Sequence, residues 1–403
     1  MNLASLRTPT AVLIAGCAIL AIGFGVRAGF GLFLQPMSLE NGWGREIFSL
    51  AIAVQNLIWG VLAPFAGGVA DRYGSGRVVA LCGVAYVLGL VVMAFSGTAM
   101  VLQVGAGFFV GLALSGTTFA TILAVIGRTV PVDKRSTALG LATAAGSFGQ
   151  FALLPATQLL IANFDWHVAL LGLAVLAALI IPLAAVLGGK PAAHVGAPQS
   201  IRAALREALA ERGFHLLFWG FFVCGFHISM LTVHLPAFVT DAGLTPAHGM
   251  IALALIGLFN MIGSFASGWL GGKFSKKYLL SGIYSIRALL ILILISFPLT
   301  PATLYFFACG IGLLWLGTVP LTNGLVGQIF GMRYAAMLTG IVFLGHQIGS
   351  FVGIWLAGYM YDTTGSYVGV LTISIGLGVF AAVVNLPVNE KPLAERRPAV
   401  GVA

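Results

Sequence analysis

Long apolar stretches separated by short polar segments recur along the whole chain. Each stretch holds roughly 20 residues or more, the length at which an α-helix crosses the hydrocarbon core of a bilayer. The pattern therefore predicts twelve transmembrane helices, at residues 11–36, 47–70, 77–96, 99–127, 135–161, 167–188, 214–240, 247–271, 277–298, 302–328, 335–360 and 367–388. The first stretch follows one basic residue, Arg7, as in a signal peptide, but it is too long for one and lacks a small-residue cleavage site. We expect it to be retained as a helix.

The composition excludes several other classes of protein. Hydrophobic residues make up 59% of the 403 residues and charged residues 8%, with a mean hydropathy of +1.04. A soluble globule carries roughly a quarter charged residues, so a water-soluble fold of this length is excluded. The four cysteines lie scattered in the apolar stretches without metal-binding or redox spacing. We interpret them as packing residues and expect no metal or cofactor.

The distribution of basic residues predicts an orientation. A net charge of +9 could indicate a nucleic-acid partner, but the basic residues are not clustered as a nucleic-acid-binding site would require. If the helices alternate from a cytoplasmic N-terminus, all but three of the 20 Lys and Arg residues fall in cytoplasmic segments; the exceptions are Arg27, Arg45 and Arg287. This bias is typical of membrane proteins. We expect a multi-pass protein of a bacterial inner membrane, with both termini cytoplasmic and no nucleic-acid partner.

The chain divides into two similar halves joined by a polar segment. Residues 200 positions apart match as follows: Gly25 with Gly225, Pro36 with Pro236, Phe65 and Gly68 with Phe265 and Gly268, Arg77 with Lys277, Gly140 with Gly340, and Gly149 with Gly349. We predict an N-terminal six-helix bundle (1–189), a cytoplasmic linker with a short amphipathic helix (190–212) and a C-terminal six-helix bundle (213–403). The predicted fold class is an all-α integral membrane protein of two pseudo-symmetric bundles. Transporters built from such repeats bind substrate near the membrane midplane, between the repeats.

A motif between the second and third helices points to a family. It reads Gly67-x-x-x-Asp71-Arg72-x-Gly74-x-x-Arg77, and it resembles the signature loop of the major facilitator superfamily. Small residues let helices approach closely, and an acidic residue at a short turn can pair with basic neighbours. The resemblance implies the twelve-helix fold of that superfamily, secondary transport by alternating access, and a role for these five residues as a conformational latch.

Two arginines lie near the middle of predicted helices, Arg27 and Arg287. All eleven acidic residues lie in predicted loops or at helix ends, so no carboxylate is available at that depth. A charge at the bilayer centre costs at least about 2.5–3.5 kcal/mol and normally faces a partner or a substrate path. We therefore expect a positive cavity whose counter-ion is a small organic anion, a mono- or dicarboxylate. For Arg27 the alternative is an arginine satisfied by backbone carbonyls, and for Arg287 an interhelical structural arginine.

Other polar residues at depth are candidate substrate contacts. His227 is the repeat-mate of Arg27, His234 lies seven residues later on the same helical face, and His346 adjoins Gln347. The remaining candidates are hydroxyl or amide residues on the helices that the resemblance places around the cavity: Gln55, Asn56, Thr118, Gln150, Asn260 and Asn323. Such groups also bond to their own helix.

Within the superfamily the chain looks like bacterial relatives of the monocarboxylate porters and oxalate/formate exchangers. Segments such as Gly42-Trp43-Gly44-Arg45 and His346-Gln347-x-Gly349 carry this likeness. In those families the eighth helix has a functional arginine, whereas this chain has Asn260-Met-Ile-Gly263-Ser264. Arg27 falls near the helix 1 lysine of the monocarboxylate porters, and we expect it to replace the missing charge.

Several alternatives stay open from the sequence. Proton symport, anion exchange and facilitated diffusion are equally consistent, because only His227, His234 and His346 could titrate at depth. A neutral or amphipathic metabolite is the alternative substrate, with both arginines structural. We expect a monomer in the lipid bilayer rather than an enzyme, since no nucleophile–base or metal-ligand constellation is evident.

Overall fold

The computed structural model describes residues 7–188, 201–331 and 335–396. The start of the predicted linker, Arg333 and the side chain of Asp71 lie outside the described residues. Within the described ranges the protein is all-helical, and twelve helical spans are long and apolar enough to cross a membrane. The predicted fold class of two six-helix bundles is confirmed.

Six spans precede the linker and six follow it. The first six are α1 (Pro9–Ala28 and Phe30–Asn41), α2 (Arg45–Tyr73), α3 (Ser75–Ala94), α4 (Ala99–Leu102, Gln103–Phe109, Val110–Thr117 and Phe119–Thr129), α5 (Val132–Asn163) and α6 (Trp166–Ala178 and Ile180–Val186). The last six are α7 (Arg212–Asp241), α8 (Pro246–Gly271), α9 (Lys276–Ser296), α10 (Pro301–Leu314 and Thr318–Phe330), α11 (Ala335–Thr364) and α12 (Val368–Asn385). A linker helix, Ile201–Ala210, lies between them, and a short turn, Leu393–Arg396, follows α12.

Spans α4 and α10 are broken at equivalent positions of the two halves. In α4 the break is at Thr118, which is extended (φ −103°, ψ −173°), and its hydroxyl donates to the carbonyl of Leu114. In α10 the break separates Leu314 from Thr318, 200 positions after Thr118. Hydroxyls that bond back to the preceding turn compete with the helical ladder. The hydropathy pattern did not predict these breaks, because both flanking segments are apolar.

Two of the glycine pairs that matched in the sequence repeat, Gly25/Gly225 and Gly149/Gly349, lie where helices cross. A Cβ on Gly25 of α1 would lie 2.6 Å from the carbonyl oxygen of Gly149 on α5. In the second half, Gly225 of α7 abuts the carbonyl of His346 on α11, and Gly349 of α11 abuts the carbonyl of Phe222. Only glycine permits such close backbone contact. These matched glycines therefore mark equivalent crossings in the two halves, α1 with α5 and α7 with α11.

The two halves meet at the end of the bundle where α2 begins and α7 and α11 end, which we call the closed end. Arg45 forms a bidentate ion pair with Asp241, with N–O distances of 2.6 and 2.7 Å, and its guanidinium lies 3.7 Å from the ring centroid of Tyr361. Asp362 of α11 accepts the backbone N–H groups of Arg45 and Glu46 at 2.9 and 2.8 Å. A carboxylate of one half thus caps a helix of the other, where the helix dipole favours negative charge.

Further polar contacts extend the closed end inward. Gln35 of α1 donates to Asp241 and accepts the hydroxyl of Thr240. Tyr367, which accepts a hydrogen bond from Arg45, is buried, and burial raises the pKa of its hydroxyl above the usual range. His234 lies between Tyr367, at 3.0 Å, and Ser49 of the first half, at 3.3 Å. The contact is therefore polar and spans both halves.

At the opposite end, which we call the open end, three described glycines have no close neighbour from the other half. Cβ atoms placed on Gly67 of α2, Gly140 of α5 or Gly340 of α11 would meet nothing within 4 Å. By contrast, Gly44, just before α2, and Gly60 of α2 lie against residues of α11. Among the described residues, every hydrogen bond between the halves lies between the closed end and the middle of the bundle. Within the described residues, the hydrogen bonds between the halves are therefore confined to the closed end and the middle of the bundle.

Candidate functional site

Arg27 lies near the middle of α1, two residues before the interruption at Gly29. Its Nη2 donates to Oδ1 of Asn56 on α2 at 2.8 Å, and its guanidinium lies 5.1 Å from the ring centroid of Trp59. The buried Nε has no hydrogen-bond partner. No acidic side chain within the described ranges pairs with Arg27. Its neighbours are a neutral amide and an aromatic ring, and neither carries a negative charge that would balance the guanidinium.

Aromatic side chains from both halves pack near Trp59, the ring beside this guanidinium. Trp59 donates from Nε1 to the Thr118 hydroxyl at the break in α4, at 3.3 Å. Phe24, one turn before Arg27, stacks on Phe119 with ring centroids 4.4 Å apart. From the second half, Phe343 of α11 meets Trp59 edge-on at 5.4 Å. The surroundings of Arg27 therefore combine one cation with an apolar, aromatic wall.

A hydrogen-bond chain joins Arg27 to the second half. Gln347 of α11 donates from Nε2 to the carbonyl of Asn56 at 3.1 Å, and its Oε1 lies 3.1 Å from Nδ1 of His346. Asn56 and Gln347 are fully buried, and His346 is 7% exposed. Arg27, Asn56 and the pair His346–Gln347, all singled out from the sequence, thus form one connected cluster. We refer to it as the central cluster.

Arg287 lies apart from the central cluster and is fully buried in the second half. Its Nη2 donates to the carbonyls of Leu314, at 2.6 Å, and Trp315, where α10 breaks. Its Nη1 lies 3.6 Å from the sulfur of Cys224 on α7. These carbonyls have lost their helical partners, and a cation at a helix C-terminus is favourable. The contacts fit the interhelical structural alternative for Arg287.

The two histidines of α7 also lie outside the central cluster. His227 approaches the carbonyl of Ser374 on α12 through Nε2 at 2.8 Å, and His234 approaches the carbonyl of Ile354 at 3.0 Å. Each is 1% exposed. A carbonyl can only accept, so Nε2 is the protonated nitrogen in both rings. Their shared helical face did not bring them to Arg27.

The remaining candidate residues are distributed over several helices. Gln55 donates to the carbonyl of Ala106 in the π-helical turn of α4, where the widened turn frees a carbonyl. Asn260 accepts the N–H of Leu316 at the break in α10 and donates to Ser147 of the first half. Gln150 packs beside Gly257 of α8 across the interface, whereas Asn323 is exposed on α10. Among these, Thr118 alone adjoins the central cluster, through Trp59.

The residues of the predicted latch lie at the open end. Gly74 has φ +99°, a conformation that favours glycine, and it ends α2. Arg72 and Arg77 are exposed, and Gly67 has no neighbour from the other half. The latch function stays a prediction.

The described ion pair between the halves lies at the closed end instead. The sequence carried a signal for this ion pair, since Arg45 was the one basic loop residue that broke the charge bias.

The fold and this geometry define a class of protein: a polytopic transporter of two six-helix bundles, with polar groups of both halves joined near the middle. The chain belongs to the major facilitator superfamily, whose family model matches residues 13–354. It is thus a multi-pass membrane protein and a transporter of that superfamily.

Individual relatives agree with this assignment. The chain is 27% identical over 387 residues to "Uncharacterized MFS-type transporter YcxA" of Bacillus subtilis (strain 168), which covers 91% of this chain and 92% of the relative. It is 28% identical over 379 residues to monocarboxylate transporter 11 of Mus musculus, covering 88% and 82%. A crystal structure of a bacterial homologue of the human lysosomal transporter Spinster, in an inward-facing and occupied conformation, superposes with a TM-score of 0.77, 14% identity and coverage of 97% and 98%. The structural likeness concerns the fold alone.

Proposed function

We propose that this protein moves a small organic anion, a mono- or dicarboxylate, across the membrane by alternating access, and that Arg27 binds its carboxylate. The observation that carries the proposal is the environment of Arg27. The guanidinium lies at the junction of the two halves and has a neutral amide and an aromatic ring as partners. A bound carboxylate would supply the missing negative charge, through the paired hydrogen bonds that a guanidinium offers.

The contrast with Arg287 supports this assignment. Both arginines occupy apolar helices, but Arg287 is anchored to two carbonyls of α10. Each of the two arginines keeps a buried Nε without a partner, so the contrast lies in the other donors. Nη2 of Arg27 donates to one neutral side chain, that of Asn56, and donors left unsatisfied in a low-dielectric site are costly unless a ligand completes them. The aromatic wall of Trp59 and Phe343 suits the short apolar part of a small carboxylic acid.

The relatives favour the same substrate class. Several are named monocarboxylate transporters, at 24–28% identity. Their names describe those proteins, and the likeness to this chain is distant. It agrees with the substrate class inferred independently from the charge of the central cluster.

We further propose an orientation for the protein. The positive-inside bias assigns both termini to the cytoplasm, and the open end is the end at which α1 begins. The described conformation is then open to the cytoplasm. Its closed end, with Arg45, Asp241 and Asp362, faces the outside of a bacterial inner membrane.

The experiment is uptake into proteoliposomes. Radiolabelled lactate, pyruvate, oxalate and succinate are compared with lactamide, the neutral analogue of lactate. Loss of a charge-assisted contact worth about 1.5–3 kcal/mol corresponds to a roughly 10- to 150-fold fall in transport efficiency. We expect Arg27→Ala to show that fall for every transported acid, with Arg27→Lys intermediate.

Arg212→Ala is the matched control, because it removes an exposed arginine at the start of α7, outside the site. Near-normal acid uptake by a folded Arg27→Ala protein would refute the role of Arg27. Equal transport of lactamide and lactate would refute the anion substrate and favour a neutral metabolite.

A further inference from the structure

A groove runs along the outside of the second half, between α9 and α12, and we call it the α9–α12 groove. Its volume is about 460 Å³, and it extends on α9 from Ser281 to Leu292 and on α12 from Ile375 to Leu386. Eleven steps along an α-helix rise about 16 Å, which is about half of the hydrocarbon core of a bilayer. The α9–α12 groove therefore has the length of one lipid leaflet.

The walls of the α9–α12 groove are apolar and face away from the rest of the protein. Leu289, Val379 and Val383 line it, and each is more than half exposed. A Cβ placed on Gly282, which also lines the groove, would meet nothing within 4 Å. In a multi-pass membrane protein such a surface contacts lipid tails, since no water reaches that depth. An acyl chain therefore fits this groove in chemistry as well as in length.

One polar group in the groove has no partner. Ser281 is 8% exposed, and its hydroxyl makes no hydrogen bond. A serine within a helix commonly donates to the carbonyl one turn earlier, as Ser374 of α12 does to Val370. An unsatisfied hydroxyl in hydrocarbon is costly. The ester carbonyl of a glycerophospholipid can only accept, so it would complete the hydroxyl of Ser281.

The groove is basic where it reaches the open end of the bundle. Lys277 precedes Ser281 by four residues and therefore lies on the same face of α9, about one helical turn or 5.4 Å nearer the end of the span. Its ammonium group lies 5.1 Å from the ring centroid of Tyr278, which is exposed. Lys273 and Lys391, in the adjoining segments, are also exposed. Paired lysine and aromatic side chains are typical of the membrane–water interface.

The carboxylate next to these lysines is already engaged. Glu390 accepts the N–H of Lys277 at 2.7 Å and the hydroxyl of Ser275 at 2.8 Å, so it caps the start of α9, where the helix dipole favours negative charge. Among the residues that the structure describes, no acidic side chain forms an ion pair with the ammonium group of Lys277, Lys273 or Lys391. An anionic headgroup would complement this end of the groove.

We propose that the α9–α12 groove binds one anionic glycerophospholipid from the leaflet at the open end. The phosphate contacts Lys277, an ester carbonyl accepts the hydroxyl of Ser281, and one acyl chain lies along the groove toward Leu292. The phosphate, ester and chain of the lipid follow one another in the same order as these three residues along α9.

A second copy of this chain complements the groove less well. Two copies related by a two-fold axis along the membrane normal would present the same surface to each other. Their Lys277 side chains would then lie at the same end of the shared interface, where like charges repel. An anionic lipid instead brings the opposite charge to that end.

The first test measures lipid binding to the purified protein by native mass spectrometry, with phosphatidylglycerol as the anionic probe and phosphatidylcholine as the zwitterionic one. The wild type should bind one phosphatidylglycerol saturably and more tightly than phosphatidylcholine. Lys277→Gln should weaken phosphatidylglycerol binding about fivefold, the effect of one basic side chain beside an anionic headgroup. Ser281→Ala should weaken the binding of both lipids about fivefold, because both carry the ester and one hydrogen bond is lost.

Arg77→Gln is the matched control for charge, because Arg77 is the exposed repeat-mate of Lys277 at the same end of the bundle. It should leave the affinity for phosphatidylglycerol unchanged. Equal affinity of the wild type for the two lipids overturns the proposal. So does an unchanged affinity in Lys277→Gln or Ser281→Ala, or an equal fall in Arg77→Gln.

The second test fills the groove. Gly282→Leu places a side chain where the structure has open space, so the variant should fold with a normal elution profile and lose the saturable lipid site. Gly376→Leu is the matched control, because Gly376 is an exposed glycine of α12 that also meets nothing within 4 Å but does not line the groove. Lipid binding retained by Gly282→Leu, or lost equally in Gly376→Leu, contradicts the proposal. A wild-type dimer that Gly282→Leu dissociates would assign the groove to a second copy instead.

A third measurement needs no variant. Wild-type protein in bilayers is labelled with phosphatidylglycerol that carries a photoreactive group on one acyl chain, and the labelled peptides are identified by mass spectrometry. Labelling concentrated in residues 281–292 and 375–386, and reduced by unlabelled phosphatidylglycerol more than by phosphatidylcholine, supports the lipid site. Labelling spread evenly over the outward-facing helices contradicts it.

Discussion

The contact that holds the closed end can be tested by removing Asp362. Its carboxylate accepts two N–H groups at the start of α2 across the interface. It thereby caps a helix that belongs to the other half, and Gly44 leaves the space for its approach. This cap is lost when the closed end opens. Asp362→Ala therefore destabilises the described conformation relative to one open at the other end.

The magnitude follows from the contact. Loss of a helix N-cap costs about 0.5–2 kcal/mol, typically about 1 kcal/mol. One kcal/mol is a factor of about 5 in an equilibrium constant, and 2 kcal/mol is a factor of about 30. The ratio of the two conformations should shift by that factor toward the one open at the closed end. The ion pair between Arg45 and Asp241 adjoins this cap, so the double variant Asp362→Ala/Asp241→Ala should not be additive.

The assay is the distance between spin labels at the open end. Cysteines are introduced at Arg77 and Tyr278, which are exposed and belong to different halves, after the four native cysteines are replaced. We expect Asp362→Ala to raise the fraction of short distances, because the open end closes as the closed end opens.

Asp165→Ala is the matched control. Asp165 caps α6 at the same end of the bundle, accepting the N–H of Val168 at 2.7 Å, but within one half. It should lower thermal stability without changing the distances. An unchanged distance distribution in Asp362→Ala, or an equal change in Asp165→Ala, would refute the reasoning.

Two further predictions concern the packing of the fold. Arg287→Met leaves two carbonyl groups at the break of α10 without a donor, at about 1–3 kcal/mol each; we expect a lower unfolding temperature in detergent, and an unchanged one would contradict a structural role. Gly349→Ala places a methyl group against the carbonyl of Phe222, so we expect poor folding, measured by size-exclusion chromatography. Gly340→Ala on the same helix meets nothing within 4 Å and should leave the elution profile unchanged; similar profiles for the two variants would contradict the crossing-point interpretation.

Much of the fold was readable from the sequence because the bilayer imposes length and composition on each span. Twelve apolar stretches gave twelve membrane helices. The paired glycines Gly25/Gly225 and Gly149/Gly349 mark helix crossings, since only glycine fits where two backbones touch. The breaks at Thr118 and before Thr318 were hidden, because a broken apolar helix and a continuous one have the same hydropathy.

The tertiary structure gives the two buried arginines different partners. In the sequence, Arg27 and Arg287 are equivalent: one cation each, in an apolar helix, without an acid at the same depth. In the fold, Arg287 meets carbonyls that the break in α10 has freed, while Arg27 meets the side chain of Asn56. The partner of a buried charge is set by backbone groups and side chains that converge from distant parts of the chain.

The same holds for the closed end and for His346. Hydropathy and charge bias place Arg45, Asp241 and Asp362 on one side of the membrane. Only the folded helices bring Arg45 into contact with Asp241 and place Asp362 at the start of α2. The sequence paired His346 with Gln347, but only the fold links this pair to Asn56 of the other half. The sequence determined which side chains lie within the membrane, because each helix must by itself be apolar enough to enter the bilayer. Which groups meet depended on helix packing, because hydrogen bonds act only over about 3 Å.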